Sequence, residues 1–153
     1  MGRVCVIGAG YVGLVTGAGL AQLGHRVTCL EVDDCRLDSL RRNRLPIHER
    51  GLDDLVARHA ASGQLAFTGS YARAIPDAEF VFIAVNTPTI RGGEAADMQY
   101  VESAARSIAQ HLDHPAILIN FTSQVPQLTT PKTTPNPPIH PNPRHANPLQ
   151  NAY

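Results

Sequence analysis

The chain has 153 residues, with 13 basic and 13 acidic side chains, so its formal net charge is zero. A nucleic-acid binder or a protein held at an anionic membrane usually carries a basic excess, so we expect neither partner. No apolar run reaches the roughly 18 residues that a membrane-spanning helix needs. The three cysteines are odd in number, which fits a reduced compartment, and we therefore expect a cytoplasmic protein.

Glycine and proline divide the chain into two regions. All 12 glycines precede residue 94, whereas most of the 12 prolines follow residue 125. We predict a globular domain over residues 1–120 and a Pro/Thr/Asn-rich tail over residues 121–153. The tail has too few apolar side chains to offset the entropy of ordering, so we interpret it as disordered or out of frame. The alternative is a Pro-rich segment that docks a partner protein.

Strands and helices alternate through the first region. Short apolar runs such as Val4–Ile7, stopped by a glycine, are typical of strands buried on both faces. The predicted strands cover residues 4–7, 27–32, 65–67, 80–85 and 116–120. The predicted helices cover residues 11–23, 34–44, 52–61 and 98–112, and Asp97 is expected to cap the last of them. This alternation predicts an α/β fold with a doubly wound parallel sheet and right-handed crossovers.

A glycine-rich turn joins the first predicted strand to the first predicted helix. It matches the pattern G-x-G-x-x-G and consists of Gly8, Ala9, Gly10, Tyr11, Val12 and Gly13. In a dinucleotide site the first glycine permits the tight turn, the second admits the pyrophosphate and the third lets helix and strand pack closely. The phosphates then lie at the positive end of the helix. The alternative is a structural glycine turn without a ligand.

Glu31 closes the second predicted strand, 18 residues beyond Gly13. An acid at this place accepts hydrogen bonds from the adenosine ribose and repels a 2′-phosphate, which favours NAD over NADP. The alternative for Glu31 is an acid on the solvated surface. Arg36 lies one helical turn later and can stack on adenine or contact phosphate, or it is an ordinary exposed arginine.

Residues 1–120 resemble the N-terminal NAD-binding domain of the UDP-glucose 6-dehydrogenases, within the nucleotide-sugar dehydrogenases. The matching segments occur in the family's order: VCVIGAGYVGLVTGAGLAQLGHRVTCLEVDD, LPIHERGLDDLV, FVFIAVNTPT and EAADMQYVESAARSIAQHL. The resemblance implies a Rossmann-type domain with NAD as cofactor. It also implies that full-length relatives oxidise UDP-glucose to UDP-glucuronate with two NAD.

The resemblance carries over onto particular residues. The glycine turn would bind the pyrophosphate, and Glu31, where the family usually has Asp, would bind ribose with Arg36 nearby. A loop after the fourth strand would lie against the cofactor; it comprises Val85, Asn86, Thr87, Pro88 and Thr89. From the residues alone, the last four of these form only a polar turn.

Some positions depart from the family pattern. The usual Tyr-Glu-Pro-Gly-Leu is replaced by the segment from His48 to Leu52, which has Arg50 in place of proline. Beyond the fifth strand the family's Lys, Gly and one Thr are missing, and the later Gly-rich motif with the nucleophilic cysteine is not present. We therefore assign no catalytic residue and no metal ligand, and interpret the cysteines as packing or incidental residues. We expect His48 in an exposed loop. Four other histidines lack the spacing of metal ligands and are expected on the surface: His25, His59, His111 and His114.

Three hypotheses follow from the sequence. The first is a truncated NAD-binding fragment of a UDP-glucose dehydrogenase, which binds NAD but does not catalyse the oxidation. The second is a non-catalytic module that binds NAD or a paralogue and docks through its tail. The third is a non-functional remnant: the sheet lacks its expected last strand, and the exposed edge favours aggregation or a homo-oligomer.

Overall fold

The computed structural model describes residues 1–90 and 96–121. The sequence also predicts a turn at Gly92 and Gly93; this turn and nearly all of the predicted tail lie outside these residues. The elements run β1 (Arg3–Ile7), α1 (Tyr11–Gln22), β2 (Arg26–Leu30), α2 (Asp34–Arg41), α3 (Leu52–Ala61), β3 (Leu65–Thr68), α4 (Tyr71–Ala74), β4 (Phe80–Ile83), α5 (Gln99–His111) and β5 (Ile117–Asn120).

The strands form one parallel sheet in the order β3-β2-β1-β4-β5. The chain moves outward from β1 through β2 to β3 and then returns to place β4 on the other side of β1. This order is that of a doubly wound Rossmann-type domain, so the predicted fold class is confirmed. The described residues supply five strands; the prediction of a missing last strand concerns residues beyond them.

Alternate residues of β1 enter two different cores. Val4 and Val6 pack with α1, α2 and α3 on one face of the sheet. Cys5 and Ile7 pack on the opposite face with α4, β4 and α5. Since side chains alternate across a strand, a run of apolar residues is required when both faces are covered. The continuous apolar run of β1 therefore places it at the centre of the sheet.

Several predicted boundaries are displaced by one to three residues. β2 ends at Leu30 rather than at residue 32, and β4 ends at Ile83 rather than at residue 85. Helix α2 stops at Arg41, and Asn43 with a φ of 55° takes the chain out of the helix before Pro46. The short helix α4 was not predicted, because four residues carry too little periodicity to be recognised.

The outer strand β5 differs from the central strands in its exposure. Ile117 is 57% exposed and Leu118 is 48% exposed, and Phe121 just beyond the strand is 45% exposed. Within the described residues β5 pairs only with β4.

The same residues contain no helix with the length and apolar character needed to cross a bilayer.

Candidate cofactor site

The carboxyl end of the sheet brings the predicted site residues to one edge. Gly8 follows β1, Glu31 follows β2, and Val85 lies two residues beyond β4. β1 lies between β2 and β4, at the point where the direction of winding reverses. In open parallel sheets this reversal leaves a crevice outside the strand ends, where ligands bind.

Gly8 and Gly13 are glycines because the protein itself leaves no room for a side chain. Gly8 has a φ of +96°, and a Cβ atom there would lie 2.6 Å from the carbonyl oxygen of Ala84. A Cβ on Gly13 would overlap the carbonyl oxygen of Gly8. The Gly8 N–H also donates to the Leu30 carbonyl at 2.9 Å, which ties the turn to the end of β2.

Gly10 differs from these two glycines. Its backbone is extended, with a φ of −77°, and a Cβ atom built on it would meet nothing within 4 Å. The described residues therefore do not require a glycine at this position. The open space in front of Gly10 is the cradle that a closely approaching pyrophosphate needs, and a side chain would fill it.

Helix α1 begins without a capping side chain. Its first internal hydrogen bond runs from the Leu14 N–H to the Gly10 carbonyl at 2.9 Å, so the N–H groups of the preceding three residues have no partner within the helix. The first turn of α1 contains no acidic residue, whereas the first turns of the other helices longer than one turn, α2, α3 and α5, each contain at least one. The positive end of α1 is thus left unneutralised by its own side chains, which suits an anionic ligand.

Tyr11 connects the glycine turn to the loop before α3. Its hydroxyl donates a hydrogen bond of 2.8 Å to a carboxylate oxygen of Glu49. This bond and the negative charge of Glu49 raise the pKa of Tyr11 above its usual value. This contact cannot be predicted from the sequence, because the two residues are far apart in the chain and neither spacing nor composition relates them.

Glu31 is buried, with 4% of its surface exposed, so the alternative of a solvated surface acid is wrong. One carboxylate oxygen accepts the Asp33 N–H at 3.0 Å, and the other accepts a hydrogen bond of 3.3 Å from Nη1 of Arg36. Arg36 is therefore a paired residue and not merely an exposed one. A carboxylate has room for further donors beyond these two, which leaves acceptor capacity for hydroxyl groups.

The loop after β4 is anchored where α5 begins. Val85 packs into the core on the α5 side of the sheet, and Thr87 is half-buried, while Asn86, Pro88 and Thr89 are exposed. The Pro88 carbonyl accepts the Asp97 N–H at 2.7 Å, and Thr89 forms an isolated antiparallel bridge with Ala96. The exposed amide and hydroxyl groups of the loop are therefore available to a ligand at the carboxyl end of the sheet.

The two buried cysteines do not contribute nucleophiles to this edge. Burial raises the pKa of Cys5 and of Cys29 to about 12, so both remain thiols at neutral pH. Cys35 is exposed on α2. Within the ranges that the structure covers, no group of His, Cys, Asp and Glu side chains has the arrangement of a metal site.

His59 had been expected on the surface, and this expectation is wrong. It is 7% exposed and lies between the side chains of Gln64 and Gln22, at 3.0 Å and 2.9 Å from its two ring nitrogens. It lies three residues after the buried Val56, so it is on the inward face of α3. The two glutamines satisfy the ring, which makes His59 a structural residue. His48, by contrast, is exposed in its loop, as predicted.

Comparison with known families identifies the kind of dinucleotide-binding domain that this chain contains. Residues 2–137 match the model of the UDP-glucose/GDP-mannose dehydrogenase family, NAD binding domain. The chain belongs to this family. NAD is the cofactor of the matched domain, in agreement with the prediction from Glu31. The family match ends within the stretch predicted as a tail, and the boundary at residue 120 stays a prediction.

Individual relatives support the same membership. The chain is 44% identical over 132 residues to UDP-glucose 6-dehydrogenase of Rhizobium meliloti, covering 86% of this chain and 29% of the relative. The structure of a UDP-glucose dehydrogenase from Pyrobaculum islandicum is 40% identical, with a TM-score of 0.68 over 72% of this chain and 26% of that one. A ternary complex of GDP-mannose dehydrogenase from Pseudomonas aeruginosa is 28% identical, with a TM-score of 0.75 over 81% and 29%. The chain thus spans less than a third of the length of these family members.

Proposed function

We propose that this chain binds NAD at the carboxyl end of its sheet, with the pyrophosphate over the turn from Gly8 to Gly13. Gly10 carries this proposal. Its neighbours do not require a glycine, yet it stands at the start of an uncapped helix, where a pyrophosphate needs close backbone approach. A purely structural turn would explain Gly8 and Gly13 but not Gly10.

We extend the proposal to the remaining contacts, which the positions of the side chains support. Glu31 accepts hydrogen bonds from the adenosine ribose, and Arg36 holds the carboxylate in place from the neighbouring helix. The loop from Val85 to Thr89 lies against the cofactor at the carboxyl end of β4. Bound NAD supplies a hydride acceptor; the residues of this chain bind it, orient it and hold its phosphates.

We further propose that UDP-glucose is the substrate of the longer protein to which this domain corresponds. Relatives named as UDP-glucose 6-dehydrogenases are 37–44% identical to the chain, whereas the GDP-mannose dehydrogenase is 28% identical. The 153-residue chain by itself binds NAD and does not oxidise the sugar. Two of its three thiols, Cys5 and Cys29, are buried and protonated at neutral pH and cannot act as nucleophiles, and the third, Cys35, is exposed on α2. NADH formation from UDP-glucose by the purified chain would contradict this statement.

Calorimetric titration with NAD tests the binding proposal. The NAD affinity is measured for the unchanged chain and for two alanine variants, one at the start of α1 and one within it. Gly10→Ala puts a methyl group into the ligand space, and Gly19→Ala puts one into equally open space away from the turn. We expect Gly10→Ala to unfold at the same temperature or higher while its NAD affinity falls at least about tenfold. Gly19→Ala should retain the affinity. Equal NAD affinities in Gly10→Ala and the unchanged chain would refute the proposed site.

A further inference from the structure

The outer half of the glycine turn is held by few contacts. Gly8 and Gly13 are fixed by close backbone packing. A Cβ atom on Gly10, by contrast, would meet nothing within 4 Å, and Val12 is 44% exposed. A glycine also has no side chain to restrict its own backbone, so this half of the turn has the greater conformational freedom. It is also the half over which the proposed pyrophosphate lies.

Tyr11 supplies a side-chain tether for this half of the turn. Within the residues that the structure describes, its hydroxyl makes the only side-chain hydrogen bond of the turn, at 2.8 Å to Oε1 of Glu49. Tyr11 is the first residue of α1, and its backbone N–H is one of the three that have no partner within the helix. The tethered side chain and an N–H that can bind a phosphate thus belong to the same residue.

Glu49 is itself held by its own backbone and by its neighbours. Its carbonyl oxygen accepts the Leu52 N–H at 3.0 Å, and Gly51, with a φ of +83°, leads directly into α3. Ile47, two residues before Glu49, packs against the core that α1 and α3 share. The side chain of Glu49 therefore extends from an anchored backbone to the glycine turn.

A carboxylate close to an anion site has two opposing effects. Its negative charge disfavours a pyrophosphate, but Glu49 and Tyr11 are both exposed, so water and salt screen this repulsion. Its hydrogen bond with Tyr11 orders the start of α1 before the cofactor arrives, which lowers the entropy cost of binding. Because a hydrogen bond to a charged acceptor is one of the stronger kinds, we expect the ordering to exceed the screened repulsion.

We propose that Glu49 is a positioning residue for the cofactor, which acts through Tyr11 to hold the start of α1 ready for the pyrophosphate. The inference rests on the proposed NAD site and adds to it a residue from the loop before α3. Glu49 acts without touching the cofactor. Loss of its hydrogen bond leaves the site intact but less ordered, so NAD still binds, with an affinity lower by about three- to tenfold.

Calorimetric titrations with NAD test this proposal on the unchanged chain and on variants of both partners. Tyr11→Phe removes the donor and Glu49→Leu removes the acceptor, so each should weaken NAD binding by about three- to tenfold. The double variant should lose no more than either single variant, because all three lack the same bond. Glu49→Gln keeps an acceptor oxygen without the charge and should bind NAD within about twofold of the unchanged chain.

Tyr100→Phe is the matched control for Tyr11→Phe. It makes the same chemical change at a tyrosine that is 49% exposed on α5, and it should leave the NAD affinity unchanged. Thermal unfolding of each variant checks the fold, since a merely structural role for Glu49 would lower the melting temperature of Glu49→Leu without changing its NAD affinity. Should Glu49→Leu fail to fold, the comparison of Tyr11→Phe with Tyr100→Phe decides instead.

The outcomes separate the positioning role from the site itself. Full NAD affinity in Glu49→Leu or in Tyr11→Phe would overturn the role of Glu49 and leave the NAD site intact. Losses that add in the double variant would also overturn it, because the two side chains would then act separately. A loss in Glu49→Gln as large as that in Glu49→Leu would do the same, since the charge and not the bond would matter. Failure of the unchanged chain to bind NAD would overturn the site and the positioning role together.

Discussion

The two ends of the parallel sheet differ in shape and in electrostatics. The amino end holds a cavity of about 280 Å³, lined by Met1, Gly2, Arg3, Gly24, Arg26 and Gln64. The carboxyl end holds the glycine turn and the open space at Gly10. A cavity lined by two arginines would suggest a phosphate site at the amino end, so shape and local charge alone favour a different place from the proposed cofactor site.

Helix direction explains why the carboxyl end is the better anion site. In each β-α-β unit the helix starts near the carboxyl end of one strand and finishes near the amino end of the next. Helix α1 therefore directs its positive end to the glycine turn, and its C-terminus at Gln22 precedes the amino end of β2. At the amino end, Arg3 is already engaged, with Glu79 at 3.2 Å and with the Asp77 carbonyl.

Gly13→Ala should have the largest effect of any single substitution at the carboxyl end. Its new Cβ would overlap the Gly8 carbonyl oxygen, so β1 and α1 would have to separate. We expect the free energy of unfolding to fall by about 3 kcal/mol or more. Gly19→Ala, in the same helix, should raise it by up to about 1 kcal/mol. Urea denaturation measures both, and similar midpoints for the two variants would show that the close packing at Gly13 is not required.

Gly17→Ala tests the packing midway between the two ends. A Cβ at Gly17 would lie 2.6 Å from Sγ of Cys29, so the substitution should cost about 1–3 kcal/mol. Cys29→Ala removes that sulfur and should relieve the clash. We expect the double variant to be more stable than the sum of the single effects predicts, by at least about 0.5 kcal/mol. Strict additivity in thermal or urea unfolding would exclude direct contact as the cause.

His114 should make the amino end sensitive to pH. A hydrogen bond to the Ala78 carbonyl and a second to Asp113 raise the pKa of His114 above 6.5, although nearby Arg3 opposes the shift. The pKa is higher in the folded state, so the stabilisation is complete below 6.5 and is lost as pH rises through the folded pKa. The melting temperature of the unchanged chain should therefore decline across neutral pH more than that of His114→Gln. Parallel curves for the two proteins would rule out this contribution.

Arg26→Ala should have the smallest effect on cofactor binding. Arg26 lines the cavity at the amino end, so its loss would weaken NAD binding if the phosphates lay there. We expect the NAD affinity to change by less than about twofold, because the proposed phosphate site lies at the opposite end of the sheet. A loss comparable with that of Gly10→Ala would favour the amino-end cavity.

Local patterns predicted the fold well because they act over short distances in the chain. The apolar run of β1 and the glycines around it were sufficient to predict a central buried strand and the helix after it. The strand β5 was predicted from similar apolar residues, yet it lies at the edge of the described sheet and is largely exposed. A single strand sequence does not reveal whether another element covers it.

The sequence predicted the part of the candidate site that is formed by the backbone of a short motif. It did not predict the contacts between side chains that are far apart in the chain. Gly8, Gly10 and Gly13 were found from their spacing, but only the structure separates the two that packing requires from the one that it does not. Contacts such as Tyr11 with Glu49, and the burial of His59 between Gln22 and Gln64, depend on tertiary packing. The separation of five residues between Glu31 and Arg36 made their contact plausible without deciding it.

Chemical-shift mapping of backbone amides during a titration with NAD tests the position of the cofactor most directly. The proposed site predicts the largest shifts at Gly10, Tyr11, Val12 and Gly13, with smaller shifts at Glu31 and in the loop after β4. The amides of Gly24 and Arg26 at the amino end should not move. Large shifts confined to the amino-end residues, or none at the glycine turn under saturating NAD, would contradict the proposed cofactor site.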